Sequence, residues 1–436
     1  MVELQSSLEE SVVQGVRAAK DELVGLAAEF VACDTTARLA GDPARDEEKL
    51  QRLLAARLEA LGAAPDLWEP EPTGDGDRFV PAGLDFAGRP QLAAVLPGSG
   101  GGRSILLNGH IDAVDVEPRD QWLSDPFVLT ERDGYFFGRG ANDMKGGIAG
   151  LVVALEALRR QGVRLAGDVV FCTVTDEESS GAGGRAAVAH GVRADAGIAA
   201  EATDFDAWVS CRGTVTPTIT VAGRAGHAEM PQPDWRDGGA VNAIEKLVTV
   251  LNGVAALREE WKARPDHEHP LLAPGDIVPT VVGGGTWMVT IPASCDVTCD
   301  ITYLPQHVDA EGTGKAVEAE VIDRLTGAVA GDPWFAKHPL RFTWTEDVVP
   351  AEMPADHPLV TTALSCAGAL GHQGKPAGLN SWHDAATFTS AGTPTFSFGP
   401  DGIHTAHAVN ECVSVGGLVD FSAAVALTMM RWCGVA

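Results

Sequence analysis

Residues 104–109 (SILLNG) are a short apolar run closed by Asn and Gly, and residues 148–160 (IAGLVVALEALRR) carry apolar positions at three and four spacing. Residues 168–174 (DVVFCTV) return to β-branched and aromatic side chains. Strand, helix, strand is the reading these periodicities give. A strand that returns through a helix pairs in parallel, so the chain is an α/β protein with a mostly parallel sheet and helices on both faces. On such sheets ligands gather at the carboxyl ends of the strands. The first strand ends at His110 and Asp112, and the second runs into Asp176, Glu177 and Glu178. A third apolar run, AGIAA (196–200), ends at Glu201, while Asp143 in GRGANDMKGG (138–147) lies just before the helix.

Around this centre, residues 8–32 and 46–62 read as amphipathic helices joined by a polar loop from Asp34 to Arg45. Residues 63–103 are broken by Pro and Gly, with a strand at 91–98, and a further helix covers 183–191. Near residue 212 the pattern changes. TVTPTITVAGRAGH (214–227) and ASCDVTCDITYL (293–304) alternate polar and apolar with period two, as antiparallel strands with one wet face do. Helices at 239–263 and around 310–328 complete an inserted α+β domain. The helix at 357–370, the strand TPTFSFGP (393–400), the run HAVNE (407–411) and a helix at 416–432 resume the first style. The expected organisation is a catalytic domain in two segments, 1–212 and 347–436, interrupted by a lid domain at 213–346.

With 436 residues, 45% of them hydrophobic, the chain can bury a large core. Its 60 acids against 32 Lys and Arg, a formal charge of -28, argue against nucleic acid or an anionic membrane as partner. The eight cysteines include no C-x-x-C pair and mostly sit in apolar runs, as reduced buried thiols do. The first residues lack the basic start and apolar run of a signal peptide, and no later run has the length of a membrane span. A soluble protein of the reducing cytoplasm is expected.

Collected by position, the strand-end polar residues are His110, Asp112, Asp143, Glu177, Glu178, Glu201 and His407. Two imidazoles and several carboxylates suit a pair of zinc ions held by nitrogen and oxygen. Asp112, two residues beyond His110, is placed to hold the other ring nitrogen of that histidine. Such a site activates water and polarises a carbonyl, and a carboxylate left off the metals can take a proton from that water. Glu177 and Glu178 are the pair between which ligand and base divide; spacing leaves open which is which. Other chemistries lack support. There is no G-x-S-x-G, the Gly283–Gly285 run lacks the Lys of a phosphate loop, and Cys295 and Cys299 fall on one strand face as structural thiols. His267-Glu268-His269 offers metal ligands, but its Pro-rich acidic setting reads as an ordinary loop.

The runs HID (110–112), WLSDPF (122–127), GRGANDMKGG (138–147), TDEESSG (175–181), Glu201, AGRAGHAEMPQ (222–232) and HAVNE (407–411) together resemble the dinuclear zinc metallopeptidases and deacylases. That family includes acetylornithine deacetylase, succinyl-diaminopimelate desuccinylase, aminoacylase and glutamate carboxypeptidase. The resemblance runs in order over almost the whole chain. It implies two zinc ions, with cobalt able to replace them, bridged by Asp143. His110 and Glu201 would hold one ion, Glu178 and His407 the other. It further implies Glu177 as general base, Asp112 as the partner of His110, and His227 as a lid histidine that reaches the partner subunit's site and steadies the oxyanion. A homodimer through the lid follows.

The implied reaction is hydrolysis of the amide of an N-acyl amino acid or related small amide. A dipeptidase or carboxypeptidase is the rival within the same chemistry, and a metal-binding protein without catalysis the rival outside it. Glu177 speaks against the last, since mere binding needs no base. Two departures from the family pattern concern substrate: Thr302 follows Asp300-Ile301 where many members carry an Arg, and Val289 stands where an Asn usually precedes the lid proline, Pro292. Thr cannot make the bidentate charged bond that Arg makes to a carboxylate.

Overall fold

The computed structural model describes residue 4 and residues 6–37, 42–71, 78–81 and 83–436, the side chain of Glu346 aside. Parts of the predicted acidic start (1–3 and 5), of the predicted polar loop (38–41) and of the predicted Pro- and Gly-rich stretch (72–77 and 82) lie outside the described residues. The chain divides into two compact units. The first holds Met1–Ser210, Ala351–Leu379 and His383–Ala436, the second Cys211–Pro350 with Asn380–Trp382.

At the centre of the first unit the strands Val169–Val174, Ile105–His110, Ala196–Ala199 and Thr395–Ser397 run parallel in that order. Antiparallel strands flank them, Asp66–Trp68 and Gln91–Leu96 on one side and Ala207–Cys211 on the other. Alternate residues of Ile105–His110 face opposite layers. Leu106 packs with Val170, Cys172, Val174, Ala187 and Phe388, beneath the short helices Ala182–Ala189 and Ala385–Ser390. Gly109 faces the other way, where a Cβ would stand 2.6 Å from Ile148 Cγ1, so only glycine admits the Lys145–Arg160 helix this closely.

That helix begins three residues before the predicted start at 148. Gly146 and Gly147 lie in its first turn, where main-chain carbonyls of Ala141 and Ala200 come too close to leave room for a Cβ. The predicted helix at 8–32 is two, Ser7–Ala18 and Lys20–Val31, turning at Ala19 (φ -87°, ψ 12°). Apolar spacing continues across the break and so conceals it. A three-stranded sheet of Thr130–Arg132, Tyr135–Phe137 and Cys412–Ser414 was not expected from the sequence. It is assembled from segments too short to show a period.

In the second unit four antiparallel strands lie in the order Asp276–Gly284, Ser294–Tyr303, Gly213–Ala222 and Arg341–Val348. Burial alternates residue by residue along Gly213–Ala222 and Ser294–Tyr303. The buried side, with Val215, Ile219, Val297 and Ile301, packs on Leu247, Val250 and Val254 of the helix Ala243–Ala263 and Val321 and Leu325 of the helix Lys315–Val329. Cys295 and Cys299 are free thiols in this core. Among the described residues no helix is long and apolar enough to cross a membrane.

Candidate metal and catalytic centre

Parallel register brings the strand ends level. His110 lies beside Val174, and Asn108 beside Ala199, so Glu201, two residues past Ala199, arrives at the height of His110. Asp143 reaches the same edge from the loop before the helix Lys145–Arg160, where the helix N-terminus favours a negative charge. His407 comes from the far end of the chain. Strand Cys412–Ser414 pairs with Tyr135–Phe137 and carries the 407–411 segment against Gly138, whose N–H donates to the Glu411 carbonyl at 3.1 Å.

His110 is buried, and its Nδ1 lies 2.9 Å from the main-chain carbonyl of Asp112. A carbonyl only accepts, so Nδ1 donates and Nε2 is turned toward the carboxylates. From Nε2 the distances are 3.0 Å to Asp143 Oδ1, 3.6 Å to Glu201 Oε1 and 4.0 Å to Glu177 Oε2. The second oxygen of Asp143 faces the other histidine: Oδ2 is 3.3 Å from His407 Nε2, which is 3.0 Å from Glu178 Oε2. Asp143 thus stands between two imidazoles, one oxygen toward each. Glu178 Oε1 is buried with no hydrogen-bond partner among the described residues. Ligand atoms of His110, Asp143 and Glu178 lie within 4.8 Å of one another.

The Asp112 side chain has a different task from the one expected. Its carboxylate stands 3.7 Å from His110 Nδ1, and the hydrogen bond from that ring goes to the Asp112 main chain. The carboxylate instead accepts from the main-chain N–H groups of Glu177 and Glu178 at 3.3 and 3.0 Å, holding the turn that carries both. Asp176 begins that turn in a left-handed conformation (φ 69°), and its carboxylate accepts from the Ser180 hydroxyl.

The electrostatics are those of a donor set in want of positive charge. Burial raises Glu177 well above the carboxylate range and Glu201 to about 8, and neighbouring carboxylates add to both. Burial pushes His110 down, but the carboxylates of Glu201, Asp143 and Glu177 outweigh it and hold the imidazole well above its usual value. Hydrogen bonds to Asp143 and Glu178 hold His407 up to about 10. Burial raises Asp143, but its bonds to both histidines prevail and leave it below the usual range. Protons and divalent cations are alternative answers to one charge demand, so the residues present fit a pair of metal ions.

Two acids in this region escaped the sequence reading. Glu411 is fully buried and accepts from Arg139 Nη1 (2.7 Å) and from the main-chain N–H groups of Gly140, Asn142 and Asp143 (3.1, 2.9 and 3.1 Å). It pins the loop that presents Asp143. Asp384 is 1% exposed with neither carboxylate oxygen hydrogen-bonded among the described residues, packed against Gly184 and raised to about 7 by burial. HAVNE and HDAA carry these acids in plain sight, but the residues they pack against, 139–143 for Glu411 and Gly184 for Asp384, lie far away in sequence. His227 belongs to the second unit, exposed on the two-residue strand Gly226–His227 with Nδ1 accepting from the Glu229 N–H.

The chain belongs to peptidase family M20/M25/M40, whose model matches residues 106–431. It is 28% identical over 445 residues to the N-formyl-4-amino-5-aminomethyl-2-methylpyrimidine deformylase of Halalkalibacterium halodurans, covering 98% of each chain. It is also 28% identical to the acetylornithine deacetylase of Proteus mirabilis, over 85% of this chain and 86% of that one. Among solved structures, human carnosine dipeptidase 1 superposes with a TM-score of 0.72 at 18% identity, covering 98% of this chain and 99% of that one. The Bacillus subtilis YXEP protein, a dinuclear metal-binding peptidase of the M20 family, does so with 0.61 at 17% identity, over 95% and 99%. The protein is therefore a hydrolase of amide bonds in a metal-binding family.

Proposed function

We propose that the protein is a dinuclear zinc amidohydrolase that removes a small acyl group from an N-acylated amine. The observation that carries this is Asp143, with one carboxylate oxygen toward His110 and the other toward His407. In this reading His110 and Glu201 hold one ion, Glu178 and His407 the other, and Asp143 both; zinc suits the nitrogen and oxygen donors, and cobalt can stand in for it. When bound, the ions supply the charge that polarises the amide carbonyl and acidifies water. Glu177, its carboxylate 4.0 Å from His110 Nε2, is the base. With the charge of the ions holding it ionised, it would take a proton from the attacking water at a carboxylate oxygen and return it to the nitrogen of the leaving amine. Asp112 keeps Glu177 and Glu178 aimed by holding their N–H groups.

The substrate is an N-acyl amino acid or related small amide, and Thr302 favours the related amide. Its hydroxyl accepts from the Asp276 N–H at 3.2 Å, so the position is occupied with holding two strands together and offers no charged fork for a carboxylate. A relative named for removing formyl from an aminomethylpyrimidine, a substrate with no carboxylate in its name, is consistent with that preference.

A homodimer through the second unit completes the proposal. Asp276–Gly284 is an edge strand with Val281 and Val282 61% and 58% exposed, and the helix beside it exposes Ile244 and Val248. Open strand edges with apolar side chains are surfaces that pair. His227, exposed on the same unit, would then serve the partner subunit's site by steadying the oxyanion, a contribution of about 3 kcal/mol for a single donor.

The test is a panel of N-formyl, N-acetyl and N-succinyl amines, with and without an α-carboxylate, offered to metal-depleted enzyme before and after zinc or cobalt is added. Metal-restored turnover of an acyl amide is expected, strongest where the carboxylate is absent. Cleavage of dipeptides with no turnover of any small acyl amide would overturn the reading.

A further inference from the structure

The second unit holds a histidine whose surroundings ask for a ligand. His267 is 2% exposed, and neither of its ring nitrogens has a hydrogen-bond partner among the described residues. Leaving both nitrogens of a buried imidazole unmet carries a desolvation cost that nothing repays, so such a side chain in a native fold calls for an explanation. One face of the ring stacks on Trp261, with centroids 5.0 Å apart and planes at 26°. The His307 ring lies 4.3 Å away by centroid, tilted by 48°.

The two histidines arrive by the same local device. Pro265-Asp266-His267 follows the helix Ala243–Ala263, and Pro305-Gln306-His307 follows the strand Ser294–Tyr303; each is a single 3-10 turn opened by proline. Proline sets φ in advance, so each turn presents its histidine at a defined place. Gln306 Nε2 ties the turns together by donating to the Asp266 and Glu268 carbonyls at 3.2 and 3.1 Å. His307 Nε2 stands 2.9 Å from the Asp266 carbonyl, so Nε2 donates and Nδ1 keeps a lone pair. The Asp266 carboxylate is oriented by Arg264, with Nε 3.0 Å from Oδ1 and Nη2 2.5 Å from Oδ2, and each oxygen retains a lone pair. Ligand atoms of Asp266, His267 and His307 all lie within 4.8 Å of one another.

From this juxtaposition we propose that Asp266, His267 and His307 bind a divalent transition-metal ion of the zinc type, at a site of the second unit that is independent of the Asp143 cluster. Two imidazoles and a carboxylate form the donor set zinc takes, with water in the remaining position. The ion meets the unmet nitrogen of His267 and staples the turn after the helix to the turn after the strand. Asp266 reaches that ion while paired with Arg264, whose guanidinium fixes the carboxylate.

The test uses the intact holoenzyme dialysed to equilibrium against buffered zinc, with bound metal counted by mass spectrometry. Wild type is expected to retain one zinc equivalent per chain more than His307→Ala, a substitution at a half-buried turn, while turnover is the same in both. Cobalt in place of zinc should give an absorption component that His307→Ala and Asp266→Asn lack. Zinc should also raise the melting temperature of wild type more than that of either variant. Equal metal content and equal cobalt spectra in wild type and folded His307→Ala would overturn the proposal.

Discussion

The sheet of the first unit is buried at every position of Ile105–His110 and Val169–Val174, whereas Gly213–Ala222 in the second unit alternates between buried and half-buried. The difference changes what a polar residue means. Between two layers of helices, a polar side chain must find a partner inside: Thr173 bonds Gln51 at 2.6 Å, and Asn108 reaches the Cys172 carbonyl. Unpaired charge is driven to the strand ends, where His110, Glu177, Glu178 and Glu201 collect. On the antiparallel sheet, Thr214, Thr216, Thr218 and Thr220 simply line a half-wet face. A polar residue on the first sheet therefore has to be accounted for by a partner in the core or by the strand-end cluster, whereas one on the second can simply face water.

That contrast can be broken at several points. The largest effect belongs to Glu177→Gln, which keeps the shape and removes the base; turnover should fall by about 10²- to 10⁴-fold with metal content unchanged. Unaltered activity would take Glu177 out of the mechanism. Glu411→Ala leaves Arg139 buried without its carboxylate and frees three N–H groups of the Asp143 loop. A loss of about 3–5 kcal/mol in unfolding free energy, with weakened metal retention, is expected. Retention and stability like wild type would mean the loop holds itself.

Removing the metals should lower the stability by about 3–4 kcal/mol for each ion lost relative to enzyme in zinc at 100 to 1,000 times the dissociation constant, reversibly. A melting temperature indifferent to chelation would show that the strand-end cluster is satisfied by protons alone. The mildest and sharpest comparison is one substitution on each sheet. Thr173→Val strands Gln51 in the core and should cost about 1–3 kcal/mol, while Thr220→Val on the half-wet face should stay within about 0.5 kcal/mol. Equal costs by denaturant titration would erase the distinction between the sheets.

Much of this was legible in the chain itself. The parallel sheet was visible in apolar runs that end in acids, and the antiparallel one in the period-two alternation of 214–222 and 294–303, because burial on two faces or one writes a different pattern along a strand. Less visible were features whose cause lies elsewhere in the chain. Position 147 needs glycine because the Ala200 carbonyl crowds it, and the strand Cys412–Ser414 exists because Tyr135–Phe137 is there to pair with it.

The residue types at the strand ends depended on sequence alone, and with them the chemistry of nitrogen and oxygen donors around a metal. Tertiary structure decided which donor meets which. It turned Glu178 toward His407 and left Glu177 nearer His110, gave the Asp112 carboxylate to two main-chain N–H groups, and brought Glu411 to a loop 272 residues before it. It also joined His267 to His307 rather than to His269. Periodicity reports the face a residue occupies within its own element; a hydrogen bond or a ligand sphere depends on how separate elements are set against one another, and local pattern carries no record of that.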